Sequence, residues 1–188
     1  PGSANIPGWH ADKLEAARLT GERVVGLVHE GLNALQMFTP QALQNAVKTN
    51  MAIGGSTNST LHLPAIADAA GIAMNLDDFD SARDIPTLLA VSPNGPWGIQ
   101  DVWAAGGMPA VLKQMQTHLD TSVMTVTGET LQATLDSAIV SNEEVIPTLE
   151  NAYRGSAGIA VLKGNLAPEG SVIKASGVHE SMLVCSGP

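Results

Sequence analysis

The stretch "NMAIGGSTNSTLHLPAIADAAG", Asn50 to Gly71, closes one apolar helix and opens another. Upstream of it, Thr39-Pro40 reads as a helix start, with Thr39 as N-cap and Pro40 in the first helical position. Leu43, Ala46, Val47 and Met51 recur at helical spacing, and Gly54-Gly55 ends the run. The next helix is predicted from about Thr57 to Ala70, with Leu63, Ile66, Ala67 and Ala70 facing inward and Gly71 as its stop. Pro64 removes a hydrogen bond inside that helix and predicts a kink.

The turn between the two helices is Gly54-Gly55-Ser56-Thr57-Asn58. A helix N-terminus leaves backbone N–H groups unpaired and carries partial positive charge, so it suits an anion. Paired glycines let a ligand approach the backbone, and Ser56, Thr57 and Asn58 add donors for carboxylate or hydroxyl groups. The turn lacks the Gly-Lys-Ser/Thr ending of a P-loop. A helix–helix turn with one Ser or Thr cap is the plainer explanation, although capping requires only one such residue. His62, four residues after Asn58, shares its helical face. It is a candidate ligand-orienting residue or acid–base group, against the plainer reading of a hydrogen-bonded core histidine.

Outward from this stretch the chain reads as mixed α/β. Asp12 to Leu35 is helical in pattern, with a break at Thr20-Gly21 and an apolar face through Leu14, Val24 and Val28. "TLLAV" (87–91) reads as a short buried strand closed by the turn "SPNGP". "GIQDVWAAGG" is a short helix ending at Gly106-Gly107, and Pro109 opens another helix with Val111, Leu112 and Met115. "VMTVTGETLQATL" (123–135) combines a β-branched run with a helix nucleated near Gly128. "SNEEVIPTLENAYRGS" (141–156) reads as a polar surface connection. "GIAVLKGNLAPEGSVIKASGV" (158–178) reads as strand, turn, strand with "APEGS" as the turn, and "SMLVC" as a third strand. A boundary near 120 to 150 separates a helix-rich part from a β-rich one.

Composition excludes several function classes. The chain has 188 residues, 44% hydrophobic and 14% charged, which is a globular balance. Its formal net charge of −9, with no run of Lys or Arg, argues against nucleic acid. No window has the apolar length to span a bilayer, and the first residues lack a signal peptide's regions. The single cysteine, Cys185, excludes an internal disulfide framework and fits a reducing compartment. A start at "PGSANIPGW" and a stop at "LVCSGP" look like a piece of a longer protein.

Other candidates read plainly. Asp77, Asp78, Asp80 and Asp84 form an acidic cluster with carboxylates for Mg²⁺ or Ca²⁺, but lack the EF-hand pattern, and a solvated loop with a helix cap explains them. His10, His29, His118 and His179 are scattered without a zinc-type spacing. "GNLAPEG" (164–170) faces a site or is a hairpin-type turn. Neither a G-x-S-x-G elbow nor a dinucleotide fingerprint is present.

These segments together resemble the dihydroxy-acid dehydratase / 6-phosphogluconate dehydratase family. The resemblance runs through "NAVKTNMAIGGSTNSTLHLPAIADAAGI", "VSPNGPWGIQDVWAAGGMPAVLKQM", "TVTGETL" and "GIAVLKGNLAPEGSVIKASGV", in family order over nearly the whole chain. "SPNGPWGIQDVWAAGG" leans towards the dihydroxy-acid branch. The resemblance implies a hydro-lyase that removes water from a 2,3-dihydroxy carboxylate to give a 2-keto acid in branched-chain amino-acid biosynthesis. A sugar-acid dehydratase is the alternative, and a non-catalytic anion-binding α/β module the alternative of another class.

For the full-length enzyme the resemblance implies an iron–sulfur cluster held by three cysteines, Mg²⁺, and a serine alkoxide that takes the C2 proton. The cluster iron would act as Lewis acid on the C3 hydroxyl while Mg²⁺ holds the carboxylate and C2 oxygen. None of those ligands lies in this segment, Cys185 does not match a cluster position, and the segment alone is expected to be inactive. Here Gly54, Gly55, Ser56, Thr57, Asn58 and His62 would form or support an active-site wall. Gly55→Val is then expected to lower turnover far more than stability. The implied fold ends a larger N-terminal α/β domain at residues 1–120. A connection follows at 121–155, and 156–188 begin a β-rich, barrel-like swivelling C-terminal domain. A cytoplasmic homodimer acting on a small hydroxy-carboxylate, without nucleic acid or membrane, completes the expectation, with an organellar location if the source is eukaryotic.

Overall fold

Three of the helices stop by the same local chemistry. In the computed structural model, which describes residues 2–182, 184 and 186, the first helix is α1, Ala11–His29. Gly31 follows it at φ 69°, the Gly31 amide donates to Val28 O and the Leu32 amide to Leu27 O. Helices α3 (Pro40–Ala52) and α4 (Ser59–Ala69) end in the same paired-bond motif at Gly54 and Gly71. Each glycine takes the left-handed conformation that lets the last carbonyls find donors. The start of α3 is as expected: Thr39 Oγ1 accepts from the Ala42 amide at 3.1 Å, with Pro40 in the first turn.

The remaining helices are short: α2 (Ala34–Met37), α5 (Leu76–Asp80), α6 (Ile99–Ala104), α7 (Gly107–Gln114) and α8 (Leu131–Ser137). Strands β1 (Ala160–Gly164) and β2 (Ala167–Ile173) pair antiparallel. The described residues are thus a mixture of helices and one two-stranded sheet. The core is shared along the chain: Val47 and Met51 of α3, Phe79 of α5, Val111 of α7, Ile146 and Ile159 are all fully buried in one cluster. No helix among the described residues is long and apolar enough to cross a membrane.

Several expectations are corrected. Helix α1 runs through Thr20-Gly21 without a break and stops at His29 rather than Leu35. One interior glycine costs only about 1 kcal/mol, and Thr20 Oγ1 is satisfied locally by Ala16 O at 2.6 Å. Its apolar face is not buried: Leu14 and Val28 are each 73% exposed. Ile66 of α4 is exposed as well, leaving Ala67 as that helix's buried residue.

"TLLAV" is buried and extended but forms no ladder. Its amides bond instead to a helix end and a loop, Leu88 to Ala52 O at 2.7 Å and Thr87 to Arg154 O at 2.9 Å. The stretch 141–156 is not wholly a surface connection, because Val145 and Ile146 enter the core. "APEGS" is not the hairpin turn. Gly164 pairs with Ala167, so Asn165-Leu166 turns the chain and Pro168, Glu169 and Gly170 bulge within β2. Gly170 takes φ 106° there, and Pro168 occupies a place that needs no donor. Where a third strand is expected, Glu180–Met182 form a single 3₁₀ turn, while Leu183 and Cys185 of "SMLVC" lie outside the described residues.

Candidate functional site

The Gly54–Asn58 turn is built by two helix ends that use most of their own polar groups. The Gly54 and Gly55 amides donate to Met51 O at 3.3 Å and Asn50 O at 2.9 Å, closing α3. The amides of Ser59, Thr60 and Leu61 donate to the carbonyls of Ser56, Thr57 and Asn58, and His62 N also reaches Asn58 O. The Asn58 amide turns back to Ser56 Oγ at 3.2 Å. Only the Ser56 and Thr57 amides of this turn have no intramolecular acceptor among the described residues. Ser56 is exposed and Thr57 half-buried, so the donors for an anion narrow to these two.

Close backbone packing fixes the turn from behind. A β-carbon on Gly158 would stand 2.3 Å from Gly54 Cα and 3.2 Å from Met51 O. The Gly158 amide donates to Met51 O and its carbonyl accepts from the Ser176 amide, both at 3.0 Å. Residues far apart in sequence therefore grip Gly54. On Gly55, a β-carbon would lie 2.0 Å from Asn50 Oδ1, which also accepts from Ser59 Oγ at 3.1 Å. Gly55→Val is therefore expected to lower stability substantially, rather than turnover far more than stability, since valine there displaces the buried Asn50 side chain.

The turn separates two hollows. On one side is an open, largely apolar hollow of about 490 Å³, whose wall includes Asn50, Ser59, His62 and Leu63. On the other is a smaller cavity of about 170 Å³ lined by Gly54, Asn5, Ser92, Asn94, Lys174 and Ser176 among apolar side chains. Of the six predicted site residues, Gly54 lines the small cavity and His62 the open hollow. Gly55, Ser56, Thr57 and Asn58 line neither. His62 is exposed, which corrects the reading of a core histidine.

Sequence reasoning missed Asn5, Asn50 and Ser176. All three are at least nine-tenths buried, and Asn5 Oδ1, Asn50 Nδ2 and Ser176 Oγ have no hydrogen-bond partner. Asn50 had a signal, an amide at a buried position of an apolar helix beside Val47 and Met51. Asn5 and Ser176 meet only in the fold.

The acidic cluster is occupied structurally. Asp78 accepts from the Asn75 amide at 2.8 Å and from Gln44 Nε2 at 2.7 Å. Asp80 pairs with Arg83, and Asp77 with Lys163, whose pKa that carboxylate raises. Among the described residues no group of three or more His, Cys, Asp or Glu side chains comes together, so the residues present do not fit an iron–sulfur cluster or Mg²⁺. "GNLAPEG" forms the exposed hairpin, with Leu166 at its tip 97% exposed.

The turn is closed by glycines, packed against the segments that flank the β-hairpin, and bordered by one open, largely apolar hollow and one smaller cavity. Residues 1–134 match the family model described as dihydroxy-acid/6-phosphogluconate dehydratase N-terminal, and residues 144–188 its C-terminal counterpart. The chain belongs to the dihydroxy-acid/6-phosphogluconate dehydratase family. It is 42% identical to a dihydroxy-acid dehydratase of Acetivibrio thermocellus, over 100% of this chain and 34% of that protein. It is 46% identical to one of Methanothrix thermoacetophila, over 100% of this chain and 35% of that protein. It is also 42% identical to an L-arabinonate dehydratase of Rhizobium leguminosarum bv. trifolii, over 99% of this chain and 33% of that protein. The chain spans about a third of the length of the relatives it matches.

Proposed function

We propose that this chain is the central segment of a hydro-lyase that removes water from a 2,3-dihydroxy carboxylate to give a 2-keto acid, in branched-chain amino-acid biosynthesis. The observation that carries the reading is its alignment, end to end, with dihydroxy-acid dehydratases at 42% and 46% identity. Within the segment, Ser56 and Thr57 would present their amides to the substrate carboxylate at the head of α4, with Gly54, Gly55 and Asn58 shaping the wall and His62 at the neighbouring hollow. The groups that perform the elimination belong to the remainder of the protein. The family's iron–sulfur cluster and Mg²⁺ would be held there, and the isolated segment is inactive.

The wider organisation follows the same reading. Residues 1–120 end an N-terminal α/β domain, 121–155 connect, and 156–188 start a β-rich, barrel-like swivelling domain. The whole protein is a cytoplasmic homodimer, organellar in a eukaryote, that takes a small hydroxy-carboxylate and neither nucleic acid nor membrane. The exposed apolar face of α1 and the net charge of −9 are in keeping with further protein cover and with no nucleic-acid partner.

The L-arabinonate dehydratase relative supports a second reading, a sugar-acid dehydratase. Side-by-side turnover of 2,3-dihydroxyisovalerate and aldonates by the whole protein separates the two. Faster keto-acid formation from dihydroxyisovalerate is expected, and a preference for aldonates selects the second reading. Keto acid from neither, with tight carboxylate binding by the isolated chain, would leave the non-catalytic module.

A further inference from the structure

We propose that the exposed apolar stripe of α1 is a two-fold seam, on which a second copy of this chain packs its own α1 antiparallel, with Gly21 on the axis. The proposal rests on the homodimer reading above and names the surface that makes the dimer.

Helix α1 carries a face that the segment leaves unused. None of its 19 residues is buried. Lys13, Ala16, Arg23 and Leu27 are half-buried against the body, and Arg23 donates to Thr127 O at 2.7 Å. Charges on a second sector pair with one another, Arg18 with Glu15 and Glu22, and Arg23 with Glu30. Leu14, Ala17, Gly21, Val25 and Val28 fill the third sector, and all five are exposed. At 3.6 residues per turn they share about 80° of the helix surface. A stripe with no charge of its own calls for an apolar cover.

Gly21 points to a close backbone. Glycine inside a helix costs stability relative to alanine, so its place there needs a reason. A β-carbon on residue 21 would meet nothing within 4 Å, so the segment itself supplies none. A second helix crossing at that point does, because two backbones approach closely where no side chain intervenes.

The spacing selects a second copy as that helix. Steps of 3, 4, 4 and 3 residues separate the five positions, so the stripe has the same spacing in both directions from Gly21. A two-fold contact requires one patch that complements itself, and a different segment of the protein has no need of that symmetry. Packed antiparallel about Gly21, Leu14 faces Val28 of the partner subunit and Ala17 faces Val25 of the partner subunit. A parallel pair would instead set alanine on alanine beside glycine on glycine and leave the middle unfilled. Antiparallel packing also brings opposite ends of the two helix dipoles together. The seam is about 21 Å long and about 10 Å wide, so it is the middle of an interface rather than all of it. Leu19, Val24 and Val126, all exposed, line an open hollow of about 680 Å³ beside α1 and extend the apolar surface.

The test uses the whole protein at micromolar concentration, by sedimentation equilibrium and cysteine cross-linking. Gly21→Leu is expected to raise the dimer dissociation constant about a hundredfold or more. Helix content should hold or rise, because leucine is the better helix former and has open space within the subunit. Gly21→Cys is expected to form a covalent dimer on mild oxidation, above a wild-type background, since only a residue on the axis faces its own copy. Leu14→Cys co-expressed with Val28→Cys should cross-link as well. In a dimeric wild type, an unchanged dissociation constant in Gly21→Leu, or no cross-link above background at position 21, overturns the seam. The homodimer reading then stands, with α1 covered by the remainder of the polypeptide. A monomeric wild type overturns the homodimer reading, and the seam with it.

Discussion

Gly158→Ala is expected to destabilise the whole protein by about 3 kcal/mol and to abolish ordered packing at the Gly54 turn. The reason is the identity of the atoms in the way. The new β-carbon would stand 2.3 Å from Gly54 Cα and 3.0 Å from Gly54 N, both backbone. A flexible side chain could swing aside, but these atoms are pinned by the Gly54-to-Met51 and Gly158-to-Met51 hydrogen bonds. Relief therefore requires α3's last turn and the segment entering β1 to separate, which breaks the bond from Ser176 N to Gly158 O as well. Equilibrium denaturant unfolding of wild type and variant checks the size. A midpoint unchanged by the substitution would mean the two segments are not in contact.

Phe79→Ala is the second large effect, expected at about 4 kcal/mol. Phe79 is fully buried and is the largest such side chain among the described residues. It belongs to the cluster that joins Val47 and Met51 of α3 to Ile146 and Ile159 near the hairpin. Helix α5 is only five residues long, held by the Asn75 cap and the Asp78 bonds to Asn75 N and Gln44. So short a helix holds its place by packing rather than by its own propensity. Deleting the ring leaves a cavity that rigid neighbours close only in part. Phe79→Leu, which keeps most of the volume, is expected to cost less than half as much in the same unfolding experiment. Equal losses for the two would assign the effect to something other than the cavity.

What the sequence disclosed divides along the range of the interactions. The Thr39-Pro40 start of α3 and the glycine stops at Gly54 and Gly71 depend on bonds within a few residues, and each was legible. The "TLLAV" run shows the limit. Its apolar residues announce burial, but whether they join a ladder depends on what lies alongside, and here that is the end of α3 and the Arg154 loop. "APEGS" has turn chemistry locally, yet pairing of Ala160 with Ile173 and Val161 with Val172 moves the corner to Asn165-Leu166. In α1 the periodicity was legible and the exposure of Leu14 and Val28 was not, because a pattern says which face is apolar and nothing about what it meets.

The candidate site divides in the same way. Two glycines followed by Ser56, Thr57 and Asn58 marked this turn as a candidate. The sequence could not show that the amides of residues 59–62 would be consumed by carbonyls of the turn itself. Nor could it bring Asn5 and Ser176, from opposite ends of the chain, into the lining of a cavity that Gly54 also lines.

Amide hydrogen exchange across the turn, in the whole protein with and without saturating 2,3-dihydroxyisovalerate, tests most directly whether this turn is a wall of the site. The Ser56 and Thr57 amides, which have no acceptor among the described residues, are expected to exchange fast alone and about tenfold or more slowly with ligand. The Gly54 and Gly55 amides, already bonded to Met51 O and Asn50 O, should change little. Ser56 and Thr57 amides that exchange at the same rate in free and saturated protein would contradict the assignment.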